Sequence, residues 1–181
     1  MQMSSEKGFS LIEVMVAVAV LTIGVMGAAA VLTAGMQNLA SSPADVIVAQ
    51  KASQAIEAVF AARDSHKLTW AQIRNVKGAS GNDGGIFLDG PQALHTAGPD
   101  GLVNTADDDA AIETNVTPGK DQTYGTADDQ HVVLNGFTRE TAIRDVPSEN
   151  GNLRSITVTL TYQSGPTKRT YTLSSLISAY S

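Results

Sequence analysis

From Phe9 to Leu39 the chain carries one charged side chain, Glu13, in an otherwise apolar and uncharged run. A helix rises about 1.5 Å per residue, so the roughly 25 residues from Phe9 to Thr33 are long enough to cross a hydrocarbon layer of about 30 Å. One membrane pass is therefore expected. A secretory signal peptide has a shorter apolar core with a small-residue cut site beyond it. Here the polar stretch Met1 to Gly8, with Lys7 as its basic residue, lies on the near side, and the positive flank predicts a cytoplasmic leader. An ionised Glu13 within hydrocarbon costs about 2.5–3.5 kcal/mol, which calls for a partner or a reach to the interface. Gly24, Gly27, Ala28, Ala29, Ala30 and Gly35 punctuate the run with small residues. In lipid such residues let neighbouring helices approach closely.

Outside this segment about 140 residues remain, enough for one domain with a small core. The chain has no cysteine, so packing must replace disulfides and thiol chemistry is excluded. Its formal charge of −6 is uneven: Gly78 to Gln130 holds ten acidic residues against one basic residue, Lys120. Nucleic-acid phosphate would be repelled by such a region, whereas cations would be attracted.

Ser41-Ser42-Pro43 interrupts the apolar pattern. Proline suits a first helical turn, with Ser42 as N-cap and Asp45 in the turn, so either a new helix starts here or one long helix bends. A bent continuation is the preferred reading. Ala49, Ala52, Ile56, Val59 and Phe60 then form an apolar stripe at helical spacing, opposite Gln50, Gln54, Glu57 and Asp64. That stripe is expected to cover a sheet. Trp70, between Leu68 and Ile73, is expected in a short helix or turn as a core anchor.

After Gly78 the composition turns to glycine, asparagine and aspartate, predicting a loop-rich insert with one short strand at Ile86-Phe87-Leu88. Within it, Gly98 to Asp108 aligns with Gly119 to Asp129 at an offset of 21 residues. Each copy sets two aspartates seven residues apart around a turn. Asp100, Asn104, Asp107 and Asp108 in one copy, and Asp121, Asp128 and Asp129 in the other, offer hard oxygens of the kind Ca2+ takes in sixes to eights. The loops resemble short aspartate-rich calcium loops of secreted bacterial proteins and lack the closing glutamate of an EF-hand. The competing reading is that these side chains bond their own backbone in Asx-turns or cap a helical turn.

From His131 onward, strands take over. Val132-Val133-Leu134 is expected to turn at Asn135-Gly136 and pair with Phe137 to Val146. Arg154 to Tyr162 alternates Ile156, Val158, Leu160 and Tyr162 with Ser155, Thr157, Thr159 and Thr161. After Ser164-Gly165-Pro166-Thr167 the chain returns through Lys168 to Leu173, with Tyr171 and Leu173 inward, and Leu176 to Tyr180 is read as an edge strand. The fold class is thus α+β: a long N-terminal helix, transmembrane in its first half, packed on a C-terminal antiparallel sheet. The expected divisions are 1–8, 9–40, 41–77, 78–131 and 132–181. No catalytic constellation accompanies them: His66, His95 and His131 lack metal-ligand spacing, no serine sits in a nucleophile elbow, and no phosphate-binding glycine pattern occurs.

The residues Lys7-Gly8-Phe9-Ser10-Leu11-Ile12-Glu13 and the apolar run behind them resemble the signal of type IV pilins and of the pseudopilins of type II secretion systems. The resemblance implies cleavage after Gly8 by a prepilin peptidase, methylation of the new Phe9 amine, and pairing of Glu13 with the Phe9 amine of a neighbouring subunit. It further implies other pilin or pseudopilin subunits and an inner-membrane assembly platform as partners, and membrane lipid before assembly. Localisation would be the bacterial inner membrane, with the C-terminal domain periplasmic, and then the filament. Many major pilins have a proline in the apolar helix and a C-terminal cysteine pair. This chain has neither, which favours a minor pilin or pseudopilin. The alternatives are a signal-anchored periplasmic calcium-binding or adhesive module that does not polymerise, and an anchored hydrolase using the acidic loops and a metal.

Overall fold

The computed structural model describes residues 10–147, 149–164 and 167–180. Helix α1 spans Leu11–Asp64, with Pro43 inside it. A 3-10 turn follows at Trp70–Gln72, and then strands β1 (Gln92–Ala93), β2 (Thr114–Thr117), β3 (Gln130–Val133), β4 (Thr138–Asp145), β5 (Leu153–Ser164) and β6 (Thr167–Ser178). The chain divides into two compact units at Ser42/Pro43, a boundary that falls within α1. No new helix begins at Ser42; continuation through Pro43 forgoes one backbone hydrogen bond, since proline has no N–H.

In the first unit, Leu11–Thr33 forms a 23-residue apolar helix, none of it buried. In the second unit, Val48, Ala52, Ala55, Ile56, Val59 and Ala62 are the buried stripe of α1. The expected stripe is thereby corrected at its margins: Ala49 and Phe60 are only half-buried, while Ala55 and Ala62 are fully inside. Small side chains on this ridge let the helix axis approach a neighbouring surface, a gain that a ranking by hydrophobicity does not register.

β4, β5 and β6 form an antiparallel meander, and β1 adds to the outer side of β4, giving the order β1-β4-β5-β6. Period-two alternation turns Ile143 of β4 and Ile156, Val158, Leu160 and Tyr162 of β5 into the core. Thr157, Thr159 and Thr161 lie on the other face, where their hydroxyls meet Ser174, Thr172 and Thr170 of β6 at 3.0, 3.4 and 3.4 Å. Trp70 is a half-buried anchor: its Nε1–H donates to the Gly151 carbonyl at 2.8 Å, and the Arg154 guanidinium lies 4.0 Å from its ring centre.

Three strand assignments are revised. β3 does not form a hairpin with β4; it pairs with β2 in a separate two-stranded sheet, Thr114 opposite Val133. The Asn135-Gly136 turn is present, with Phe137 N–H donating to Leu134 O at 3.4 Å and Gly136 at φ 79°, yet its flanks enter different sheets. The β2–β3 ladder runs up to the turn itself, with Leu134 N–H donating to Glu113 O at 2.9 Å. Ile86-Phe87-Leu88 makes only a single bridge, Phe87 with Asn75. Leu176 to Ser178 continues β6 and is no separate strand, because its register with Leu153 to Ser155 is unbroken. Gly165 and Pro166 of the expected turn lie outside the described residues.

Leu160 is 0% exposed and Leu176 57% exposed. Leu160→Ala is expected to lower the unfolding free energy of the full chain by about 2–5 kcal/mol, through lost transfer energy and a residual cavity. Leu176→Ala should stay within about 0.5 kcal/mol. Urea denaturation of both variants in the same detergent checks the contrast.

Candidate functional site

The N-terminal segment is built from a capped helix start. Ser10 is the N-cap of α1: its Oγ accepts from the Glu13 N–H at 3.3 Å, and its carbonyl accepts from Glu13 and Val14 at 3.1 and 3.2 Å. Glu13 sits in the first turn, where the helix dipole favours a negative charge. The Ser-x-x-Glu spacing of Ser10 and Glu13 is the sequence signal for this cap. Glu13 thus has a local role in starting the helix before any partner is considered. Gly8 and Phe9, the expected cleavage and methylation positions, lie outside the described residues.

Along the apolar helix, an added Cβ at Gly24, Gly27 or Gly35 would meet nothing within 4 Å. Leu11, Ile12, Met15, Leu21, Ile23 and Met26 are all at least 63% exposed. Among the described residues, no contact requires glycine at those positions or covers these side chains. They present an exposed apolar surface that fits a membrane-anchored helix.

The two aspartate-bearing copies adopt one shape. In the first, Leu102 N–H donates to Asp100 Oδ1 at 2.7 Å, Asn104 N–H to Asp108 Oδ2 at 2.8 Å, and Thr105 Oγ1–H to Asp107 Oδ1 at 2.8 Å. In the second, 21 residues on, Thr123 N–H donates to Asp121 Oδ1 at 2.9 Å, Gly125 N–H to Asp129 Oδ2 at 2.7 Å, and Thr126 Oγ1–H to Asp128 Oδ1 at 2.8 Å. Positive φ recurs at matching positions: Gly101 and Gln122, Asn104 and Gly125. A Cβ at Gly98 would lie 2.2 Å from the Asp107 carbonyl oxygen, and one at Gly119 2.2 Å from Asp128 Oδ2, so both copies need glycine at their start.

These bonds set the carboxylate affinities. The Thr105 hydroxyl holds Asp107 below the usual aspartate range, and the Thr126 hydroxyl does the same for Asp128. Burial, with Asp107 and Asp108 close by, pushes Asp100 up. Among the described residues no group of three or more His, Cys, Asp or Glu comes together as a metal-holding cluster. The carboxylates serve first as acceptors for their own loops.

The copies differ in how they are tied down. Asn104 is fully buried; its Nδ2–H donates to the Arg139 carbonyl at 2.8 Å and its Oδ1 accepts from Arg139 Nε at 2.6 Å. Arg139, 1% exposed, also donates from Nη1 to Glu113 Oε1 at 2.8 Å, and Glu113 Oε2 pairs with Lys51 Nζ of α1 at 2.7 Å. The equivalent of Asn104 in the second copy is Gly125, so that loop has no such tether and Tyr124 beside it is 67% exposed. Sequence reasoning missed this network. Its signal was parity: Arg139 shares a strand face with Thr141 and Ile143, and Arg154 with Ile156 and Val158.

A family model described as the prokaryotic N-terminal methylation motif matches residues 3–29. The chain therefore carries the type IV pilin-like signal, whose family is structural rather than catalytic. The motif implies processing by a prepilin peptidase and pilin-type partners, and together with the apolar helix it fits a membrane-anchored protein. No curated protein and no solved structure matches the chain.

Burial alone would raise the Glu113 pKa, but the Lys51 hydrogen bond and the Arg139 charge outweigh it and hold the carboxyl below its ordinary value. Its stabilisation is present above the unfolded pKa and lost as pH falls through the folded one. Unfolding monitored across that acid range should show a loss that Glu113→Gln flattens. Arg139→Met should cost about 3–5 kcal/mol at neutral pH, because Glu113 stays buried with one counterion removed. If these loops hold calcium, calcium should raise the melting temperature and chelator should lower it; a midpoint indifferent to both assigns the carboxylates to their own loops alone.

Proposed function

We propose that this chain is a minor pilin or pseudopilin subunit, processed by prepilin peptidase and assembled into a type IV pilus or type II secretion pseudopilus. The observation that carries the reading is the methylation motif over residues 3–29, continuous with a helix whose residues Leu11–Thr33 bury nothing within the chain. An apolar rod of that kind has two stable environments, a bilayer and a bundle of like rods, and transfer between them is what filament assembly requires. The subunit would enter the inner membrane with its second unit in the periplasm, lose Met1 to Gly8, and leave lipid for the packed helices of the filament.

In that bundle Glu13 would face the Phe9 amine of a neighbour. Both charges leave water and lipid headgroups, so each is tolerated only when paired, and the pair fixes the stagger of adjacent helices. Open space around Gly24 and Gly27 supports close approach of a second helix.

Two substitutions separate processing from assembly. Gly8→Val is expected to leave the leader attached. Glu13→Ala should be processed normally but incorporated poorly, since an unpaired buried amine at about 3 kcal/mol corresponds to roughly a hundredfold in the assembly equilibrium. Immunoblots of sheared filaments and of membranes measure both effects; normal incorporation of Glu13→Ala contradicts the pairing role.

A further inference from the structure

The two edges of the four-stranded sheet are treated differently. Strand parity shows which backbone groups face outward. Val146 N–H donates to Leu153 O, which continues the β4–β5 register, so odd-numbered residues of β5 bond β4. Ala179 N–H donates to Asn152 O, which continues the β5–β6 register, so odd-numbered residues of β6 bond β5. In an antiparallel pair the intervening residues point their N–H and C=O groups away from the partner. The outward groups therefore belong to Arg139, Thr141 and Ile143 on β4, and to Lys168, Thr170, Thr172, Ser174, Leu176 and Ser178 on β6.

On β4 these groups are occupied. The Asn75 side chain, 1% exposed, donates from Nδ2 to Thr141 O at 2.7 Å and accepts from Ile143 N–H at 2.7 Å, standing in for a strand. Asn104 Nδ2 donates to Arg139 O, and β1 pairs beside it. On β6 only the last group is taken: Arg63 Nη1 donates to Ser178 O at 3.0 Å. Among the described residues, the N–H and C=O groups of Lys168, Thr170, Thr172, Ser174 and Leu176 have no partner within the chain. The register of β6 is continuous from Thr167 to Ser178, without a bulge, and Thr170 to Leu176 contains no proline and no charge. Proteins ordinarily blunt such an edge with charge, proline or a bulge; here Lys168 guards the first outward position, and the stretch from Thr170 to Leu176 has none of these, so it stays open to strand pairing.

We propose that the open edge of β6 receives an extended, antiparallel strand from a second, different polypeptide. The segment would be rich in alternating β-branched residues and carry a carboxylate near its C-terminal end. Its side chains on one face would extend the hydroxyl rows formed by Thr157, Thr159 and Thr161 with Ser174, Thr172 and Thr170, at ordinary cross-strand spacing. The charge follows from Lys168, which is exposed and has no carboxylate partner among the described residues, at the end of β6 where an antiparallel strand would finish. Main-chain bonds supply affinity in such strand addition and the alternate side chains supply selectivity. This surface belongs to the second unit and is independent of N-terminal processing.

The test uses isotope-labelled full chain in detergent micelles, amide hydrogen exchange read by NMR, and a short acetylated peptide of alternating threonine and valine ending in glutamate. In the free protein the amides of Thr170, Thr172, Ser174 and Leu176 should exchange at least about tenfold faster than those of Tyr171, Leu173, Ser175 and Ile177. Saturating peptide should slow the first set about tenfold or more, and a peptide ending in lysine should bind about tenfold more weakly. Thr172→Pro, or Ser174→Pro should the first fail to fold, removes an outward N–H and is tolerated on an edge. Either variant should keep the odd-numbered amides protected and abolish the peptide effect. The proposal is overturned by protection of the even-numbered amides in the free chain or by their indifference to peptide. Equal binding of the two peptides, or an unchanged effect in a folded proline variant, also overturns it. Protection that rises with protein concentration alone assigns the edge to a second copy and overturns it likewise.

Discussion

The chain is organised by an apolar helix, Leu11–Thr33, of which none is buried among the described residues. Burying one large aliphatic side chain is worth about 1.5–3 kcal/mol, and Leu11–Thr33 presents a succession of them to whatever surrounds it. The second unit has a core of its own around Ile56, Val59, Val158 and Leu160. The apolar helix fits a membrane anchor, and the methylation motif lies at its head.

The second unit shows how a domain without cysteine holds a loop-rich segment in place. Polar groups replace disulfides. Asn104, Arg139, Glu113 and Lys51 run as one buried chain of hydrogen bonds from the first aspartate loop to β4 and to α1, and Asn75 closes the edge of β4 next to it. Because each member satisfies another, the desolvation cost that a lone buried charge would carry is offset. The second loop copies the internal bonds of the first but has glycine where the tether would be. Repetition kept the turn geometry and left the anchoring to one copy.

How much could be read beforehand follows from what is local. The apolar run, the stripe of α1 and the alternation of β5 depend on neighbours a few residues apart, so Ala52, Ile56, Val59, Ile156 and Leu160 were placed correctly. The twenty-one-residue repeat was legible for the same reason, since its turns are built from side chains bonding their own backbone. Pairing choices between distant segments were not. Nothing near His131 announces that β3 joins Thr114–Thr117 across an intervening loop, because a turn signal reports the turn and not the partners of its flanks. Arg139 and Arg154 share their strand faces with buried isoleucine and valine, a parity that charge alone masks. The open edge of β6 is a property of strand order, which no stretch of sequence encodes alone.

The most direct measurement is the mass of the N-terminal fragment of the chain purified from envelopes of cells that make it. A processed subunit yields a fragment that starts at Phe9 and carries one added methyl group. A fragment that still begins at Met1 contradicts the proposed processing, because an unprocessed rod has no freed amine for Glu13 to meet and no route from the bilayer into a filament.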